Sequence, residues 1–315
     1  MPSPPTISVV IPVYNANVFL EELHERLVAA VAPLDPDFEI IFVDDCSLDW
    51  SWKTIVAMRQ QDPRVRGAQL MRNVGQFRAL MCGLGLARGE LVVTMDDDLQ
   101  HPPEEIPKLV QAMRANEDLD AVIGAPLRKR HGVLRNLGSW ALRRLNHRFF
   151  GAPSTLRLGS FRAIRREVAQ LMLQNRSVNV TVGPLLLSVT GRLDNVTVEH
   201  HPRRMGRTSY GPLRLLKASL DNVCNYSTLP LSLVGSLGLA TAGLSFLYGL
   251  WVIFKKLFLG VAIQGWASTI VLICFFSGMI LFTLWIIGEY LIRIFRETSD
   301  ERQFLVRKTL GSGED

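Results

Sequence analysis

Residues 7–45 read ISVVIPVYNANVFLEELHERLVAAVAPLDPDFEIIFVDD, and this stretch decides the fold. Ile7–Val13 and Glu39–Val43 are short, β-branched, continuously apolar runs, the pattern of strands buried on both faces of a parallel sheet. Between them, Val18–Ala32 places Phe19, Leu23, Leu27 and Val31 at helical spacing. The unit is β-α-β. The alternation continues through a helix over Trp50–Gln61, a strand over Val65–Leu70, a helix over Ala79–Ala87 and a strand over Glu90–Met95. A doubly wound α/β sheet is the economical fold for this order.

In such sheets ligands bind beyond the carboxyl ends of the strands. The four ends here are Pro12–Asn15, Asp44–Asp45, Arg72–Gly75 and Asp96–Asp98, each with polar or charged residues. The most informative is MDDDLQHPPEE, Met95–Glu105, which follows the apolar LVVT. Continued strand geometry puts Asp96 and Asp98 on one face, because side chains alternate with a period of two. Two carboxylates held together suit a hard divalent cation, Mg²⁺ or Mn²⁺, which bridges to diphosphate oxygens as a nucleoside diphosphate departs. Gln100 is spaced to add an oxygen ligand. A plain acidic turn capping a helix would explain Pro102–Pro103 and Glu104–Glu105, but it does not need three aspartates. At the second strand end, Asp44 and Asp45 can accept hydrogen bonds from a nucleobase N–H or a ribose hydroxyl, while Ser47 and Asp49 look like helix caps. Pro12, Tyr14 and Asn15 form the first strand-to-helix turn, either a base-sandwiching surface or a simple turn.

Of the 315 residues, 48% are hydrophobic, and they are unevenly spread. Leu231–Phe254 contains 24 residues without a charge and Leu257–Gly288 another 32, each long enough for the roughly 20 residues that a bilayer core needs. The reading divides the chain into a soluble domain (1–210), an interfacial amphipathic helix (211–228), two transmembrane helices (229–292) and a C-terminal tail (293–315). The net charge of +6 does not point to nucleic acid. Its basic residues concentrate at Arg128–Arg148, Arg203–Lys217 and Arg293–Lys308, and the last two clusters flank the apolar spans, as the positive-inside rule expects of cytosolic segments. Lys255 and Lys256, between the spans, are a weak counter-signal. Met1–Thr6 lacks the basic and apolar regions of a signal peptide, so the first domain is expected in the cytosol. Cys46, Cys82, Cys224 and Cys274 form no C-x-x-C pair and are expected to pack rather than to bridge. The six histidines show no metal-binding spacing, and the adjacent His200–His201 are expected to be structural or minor phosphate contacts.

The motifs IPVYN, VDD, RNVGQ, DDDLQHPPEEIP and GSFR, followed by two apolar spans ending in GEY, resemble the family 2 glycosyltransferases that make polyprenyl-phosphate sugars. Dolichyl-phosphate mannose synthase and the bacterial undecaprenyl-phosphate glucose and aminoarabinose transferases belong to that group. The resemblance covers nearly the whole chain and implies a GT-A-like domain that moves a sugar from a nucleotide-sugar, a UDP-hexose, onto a polyprenyl phosphate. It implies nucleotide contacts at Pro12, Tyr14, Asn15, Asp44, Asp45 and Asp97, and metal ligands at Asp96, Asp98 and Gln100. Arg162 and Arg203 would meet the phosphates, with Asp96, Asp98, Arg162 and Arg203 as the catalytic set. The chain departs from the family at Ala16, where glutamate is usual, and at Thr208–Ser209, where Ser-Lys is frequent; Arg207 would then supply that charge. The implied setting is a multi-pass protein of the inner membrane, with its catalytic domain cytoplasmic and a homo-oligomeric state.

A phosphate acceptor needs no strong general base, which agrees with the absence of a Ser/His/Asp or Cys/His arrangement. Two other classes fit parts of the pattern. A processive polysaccharide synthase would carry Q-x-x-R-W and more spans, which this chain lacks; a non-catalytic nucleotide-sugar-binding partner of a flippase would not need the intact DDDLQ. Leu213, Leu216, Leu220 and Val223 share one helical face, as an interfacial helix requires.

Overall fold

The computed structural model describes residues 5–126, 156–174, 181–202, 265–298 and 304–311, together with single residues between 236 and 258. Arg203, Arg207, the Arg128–Arg148 cluster and the expected interfacial helix lie outside the described residues. The chain forms two compact units, one of Met1–Asn222 with Arg302–Asp315 and one of Val223–Glu301.

In the first unit the elements are β1 (Ile7–Val13), α1 (Asn17–Val31), β2 (Glu39–Asp44), α2 (Ser51–Gln61), β3 (Val65–Leu70), α3 (Gln76–Leu86) and β4 (Leu91–Thr94). There follow α4 (Ile106–Ala115), β5 (Ala121–Pro126), β6 (Arg162–Arg165), α5 (Arg166–Leu173), α6 (Val182–Val189) and β7 (Leu193–Val198). After α7 (Trp266–Thr298) of the second unit, β8 (Val306–Leu310) completes the sheet. The strand order is β7-β5-β6-β4-β1-β2-β3-β8. Strands β1 to β4 are parallel, as the apolar runs predict, but β6 runs antiparallel to β4 and β5, and β8 antiparallel to β3. The sheet is therefore mixed.

The strand that the sequence centres is the most enclosed. Every residue of β1 and β2 is buried. Helix α1 turns Leu20, Leu23, Leu27 and Val31 inward, each worth about 1.5–3 kcal/mol when fully buried; Leu20, rather than Phe19, heads this face. Helix α3 begins three residues earlier than its periodicity predicts, at Gln76, because Gly75 at φ 92° turns the chain directly from the loop into the helix. Cys46 and Cys82 are both free, and burial pushes the Cys82 thiol up to about 12.

At the amino ends of the strands, remote from the acidic turn, Glu39 is buried and fully engaged. It accepts hydrogen bonds from Ser8 Oγ (2.6 Å), the Arg88 N–H (2.7 Å) and Arg66 Nη1 (2.8 Å). Burial works to raise the Glu39 pKa, but these bonds outweigh it and hold the carboxyl below its ordinary value. The turn from α3 to β4 closes over this cluster at Gly89, whose N–H donates to Ser8 Oγ (2.8 Å).

Helix α7 is 33 residues long, about 50 Å at 1.5 Å per residue. It carries Phe275, Ile280, Phe282, Leu284 and Trp285 exposed, and the hydroxyl of Thr283 is satisfied by the Met279 carbonyl (2.9 Å). Counted over the described residues alone, no helix is long and apolar enough to cross a membrane. The two spans thus stand as an expectation of the full sequence.

A Cβ at Gly89 would lie 2.6 Å from the Ser8 nitrogen and 2.8 Å from the Ile7 carbonyl carbon, atoms of a central strand that cannot swing aside. Gly89→Ala is expected to destabilise the protein by about 1–3 kcal/mol, the usual cost of overpacking. A thermal melt with an unchanged midpoint would contradict this close approach.

Candidate active site

Each of the four parallel strands β1 to β4 is followed by one residue with positive φ: Asn15 (53°), Cys46 (58°), Gly75 (92°) and Leu99 (57°). Among the described residues only Gly311 adds to this set. Left-handed backbone in non-glycine residues is costly and gathers where structure is spent on a site. The carboxyl ends of the strands are therefore both the polar edge of the sheet and its strained edge.

The first two loops are stitched together. Leu48 N–H donates to Asn15 Oδ1 (2.8 Å), Asn15 N–H to Ser47 Oγ (3.0 Å), Ala16 N–H to Ser51 Oγ (3.1 Å) and Asn17 N–H to Asp49 Oδ2 (3.1 Å). Ser47 and Asp49, expected as helix caps, serve mainly as acceptors in this lattice, although Asp49 also holds Ser51 N–H (3.0 Å). Pro12 lies inside β1 opposite Val43 and is buried, not in the turn where the sequence reading puts it. Tyr14 is 46% exposed and so has an aromatic face to offer a ligand.

Asp44 and Asp45 are buried and already engaged. Asp44 accepts from Ser47 N–H (3.2 Å) and Gln69 Nε2 (3.1 Å). Asp45 accepts Val74 N–H on one oxygen and Gly75 N–H on the other, both at 2.8 Å, and so grips the loop after β3. Burial raises the Asp45 pKa, opposed by those two backbone bonds.

The acidic turn differs from its sequence reading. Strand β4 ends at Thr94, so the alternation that would put Asp96 and Asp98 on one face does not reach them; a turn with Leu99 left-handed arranges them instead. Asp96 is clamped, with Gln76 Nε2 donating to Oδ1 (2.5 Å) and Ser160 Oγ to Oδ2 (2.6 Å). Asp97 Oδ2 accepts the Tyr14 N–H (3.2 Å), which ties the turn to the loop after β1. Burial pushes the Asp97 pKa up to about 7, and the neighbouring Asp96 and Asp98 add to the rise. Asp98 is buried and its Oδ1 accepts Gln100 N–H (3.2 Å).

Arg162 opens β6, paired with Thr94 of β4. It is buried, its Nε donates to Ser160 O (3.3 Å), and among the described residues its Nη1 has no hydrogen-bond partner. Burial lowers its pKa to about 10, against the pull of Asp96, so it stays cationic at neutral pH. His101 stacks on Phe161 (centroids 5.1 Å apart) and lies 4.8 Å from the His200 ring, while His201 N–H donates to Gln100 O (2.8 Å). The adjacent histidines thus brace the turn.

Asp96, Asp98 and Gln100 offer the carboxylate and amide oxygens that a hard divalent cation takes, and crowded carboxylates beside one buried arginine favour a further positive charge. Among the described residues no three His, Cys, Asp or Glu side chains gather as a metal site, so such an ion would draw on Gln100 and on ligand oxygens. Sequence reasoning assigned no role to Gln76 or Ser160, although both stand within the motifs RNVGQ and GSFR. What marks them is the carboxylate they share.

Residues 8–172 match the family model described as Glycosyl transferase family 2. An uncharacterised glycosyltransferase of Bacillus subtilis is 32% identical over 306 residues, 96% of this chain and 94% of that protein. The undecaprenyl-phosphate 4-deoxy-4-formamido-L-arabinose transferase of Pseudomonas fluorescens is 33% identical over 310 residues, 97% of this chain and 91% of its own length. Among solved structures, glucosyl-3-phosphoglycerate synthase from Mycobacterium tuberculosis aligns with a TM-score of 0.50 at 20% identity, over 70% of this chain and 80% of that one; this last likeness concerns the fold alone. Matches over nearly the whole length, on a sheet of this topology, make the chain a member of glycosyl transferase family 2, a glycosyltransferase with a GT-A-like α/β fold.

Proposed function

We propose that the enzyme transfers a sugar from a UDP-sugar to a polyprenyl phosphate, undecaprenyl phosphate in particular, with inversion at the anomeric carbon. The observation that carries this reading is the buried, cationic Arg162, whose Nη1 has no hydrogen-bond partner among the described residues, beside the clamped carboxylate of Asp96. A guanidinium N–H held without a protein acceptor is a donor kept for a ligand oxygen, and phosphate is the oxygen anion that guanidinium matches best. The acceptor is supported by relatives from Pseudomonas and Shewanella, 31–33% identical over nearly the whole chain, that are named undecaprenyl-phosphate transferases.

In this reading Pro12, Tyr14, Asn15, Asp44, Asp45 and Asp97 surround the nucleotide, and Arg162, Arg203 and Arg207 meet phosphate oxygens. Mg²⁺ or Mn²⁺, held by Asp96, Asp98 and Gln100, would offset charge on the departing diphosphate. The acceptor phosphate oxygen forms the bond to the anomeric carbon as the bond to the diphosphate breaks, and UDP leaves with the electron pair. Since the second pKa of a phosphate monoester is about 6, that oxygen is already anionic at neutral pH and no protein base is required. Gln76 and Ser160 keep Asp96 from rotating while charge moves. A hexose is the sugar that the sequence reading favours; a 4-substituted arabinose would match the relatives' names.

The proposed setting is the inner membrane, with residues 1–210 cytosolic, 211–228 at the interface, 229–292 spanning twice, and copies of the chain associated. Its support is the full sequence, in which 257–288 has no charge, together with the length and apolar exposure of α7. The deciding experiment incubates the protein with a panel of UDP-sugars and undecaprenyl phosphate and reads the lipid product by mass. A polyprenyl-phosphate sugar is expected; free UDP and sugar without lipid product would overturn the acceptor.

Asp98→Ala is expected to abolish transfer with little change in melting temperature, because it removes a ligand oxygen rather than core volume. Activity above about a tenth of the unsubstituted enzyme at saturating divalent cation would reject the metal role. Arg162→Met makes the opposite kind of test. An unsatisfied buried donor costs about 1–3 kcal/mol, so this apolar substitute is expected to keep or raise the melting temperature while transfer falls at least about tenfold, the loss of one charged hydrogen bond. A variant that melts earlier and still transfers would show that Arg162 is structural.

A further inference from the structure

We propose that β8, the strand that follows α7, is a positioning element of the donor site. This rests on the donor-site reading above. Strand β8 pairs with β3 through Gly67↔Leu310, Ala68↔Thr309, Gln69↔Lys308 and Leu70↔Val306, with a register shift between Gln69 and Leu70. Four of its five residues are exposed, so apolar burial does little to hold it; Leu310 alone packs against the core. Two bonds beyond the ladder tie down its ends. Arg66 Nε donates to Gly311 O (3.2 Å), and Met71 N–H donates to Leu305 O (2.9 Å).

The second of these bonds carries the inference. Met71 is the first residue of the loop between β3 and α3, and this loop has no regular structure of its own. It is held at its far side by Asp45, on Val74 and Gly75 N–H, and it ends at Gln76, whose amide clamps Asp96. Its near side is held at Met71, by Leu305 O on the N–H and by the Cys46 thiol on the carbonyl (3.8 Å). A strand that only covered a sheet edge against other chains would need the ladder of 306–310. Past the register shift between Gln69 and Leu70 the pairing does not stop with β3 but runs on to Leu305 O and the N–H of the loop residue Met71. Irregularities of that kind commonly re-aim the chain next to a site. Here the shift directs the chain into the loop that carries Gln76.

The test uses the full chain. Met71→Pro removes the N–H that Leu305 accepts and leaves the residues of the β8 ladder unchanged; Met71→Ala removes the same side chain and keeps the N–H, so the two variants differ in that bond and in the φ that proline fixes. UDP affinity by calorimetry with Mn²⁺ is read beside kcat and the melting temperature. Met71→Pro is expected to bind UDP about tenfold more weakly than Met71→Ala, the scale of one hydrogen bond. In combination with Gln76→Ala its effect should shrink, because both act on Asp96. Equal UDP affinity in the two Met71 variants, or effects of Met71→Pro and Gln76→Ala that simply multiply, would overturn the proposal. If the unsubstituted enzyme itself bound no UDP, the donor reading would fail instead, and the two failures are thereby distinct.

Discussion

Strand β1 is buried along its whole length, and a strand without an exposed face must be paired on both edges and covered on both sides. Its partners β2 and β4 run parallel to it, which requires crossover helices, and those helices supply the covering layers. Parallel pairing also gathers the carboxyl ends of β1, β2 and β4 at one edge. The loops that hold Tyr14, Asp45 and Asp96–Asp98 share a neighbourhood for that reason, before any side chain is considered. The left-handed residue after each strand follows from the same constraint, since each chain must turn sharply at the top of a crowded sheet. The stitched bonds between loops 14–17 and 47–51 keep those turns from relaxing.

Charge is distributed differently at the two ends of the sheet. At the amino ends Glu39 is matched by Arg66, Arg88 and Ser8, and the cluster is electrostatically closed. At the carboxyl ends several carboxylates stand together with one buried arginine, burial pushes the Asp97 pKa up to about 7, and Arg162 keeps a donor without a protein acceptor among the described residues. One cluster stabilises the fold, while the other is organised around charge that a ligand would bring. This contrast distinguishes a structural ion network from a site more firmly than the number of acidic residues does.

Much of the first half of the domain is legible in the sequence because its signals are local. Ile7–Val13 and Val65–Leu70 are strands as read, and β2, α1 and α2 depart from their readings by no more than one residue at an end. The acidic turn is recognisable as chemistry, yet its geometry is not, because the strand stops at Thr94 and Leu99 takes a backbone conformation that no periodicity announces. Gln76 and Ser160 are unremarkable letters until the fold brings one to each oxygen of Asp96. The antiparallel β6 and the exposed VRKTL of β8 lack the continuous apolar run that marks the parallel strands; their pairing depends on edges that other elements create. Arg203 and Arg207, assigned by resemblance, lie outside the described residues.

The return of the chain to the first unit also governs how the protein is made. Synthesis delivers β1 to β7 well before residues 306–310, so β3 waits with an unpaired edge while the apolar stretch between them is still being added. Open edges of this kind invite association with other chains. The sheet reaches its final width only when the last strand arrives, and a chain halted before that point carries an unfinished edge at β3.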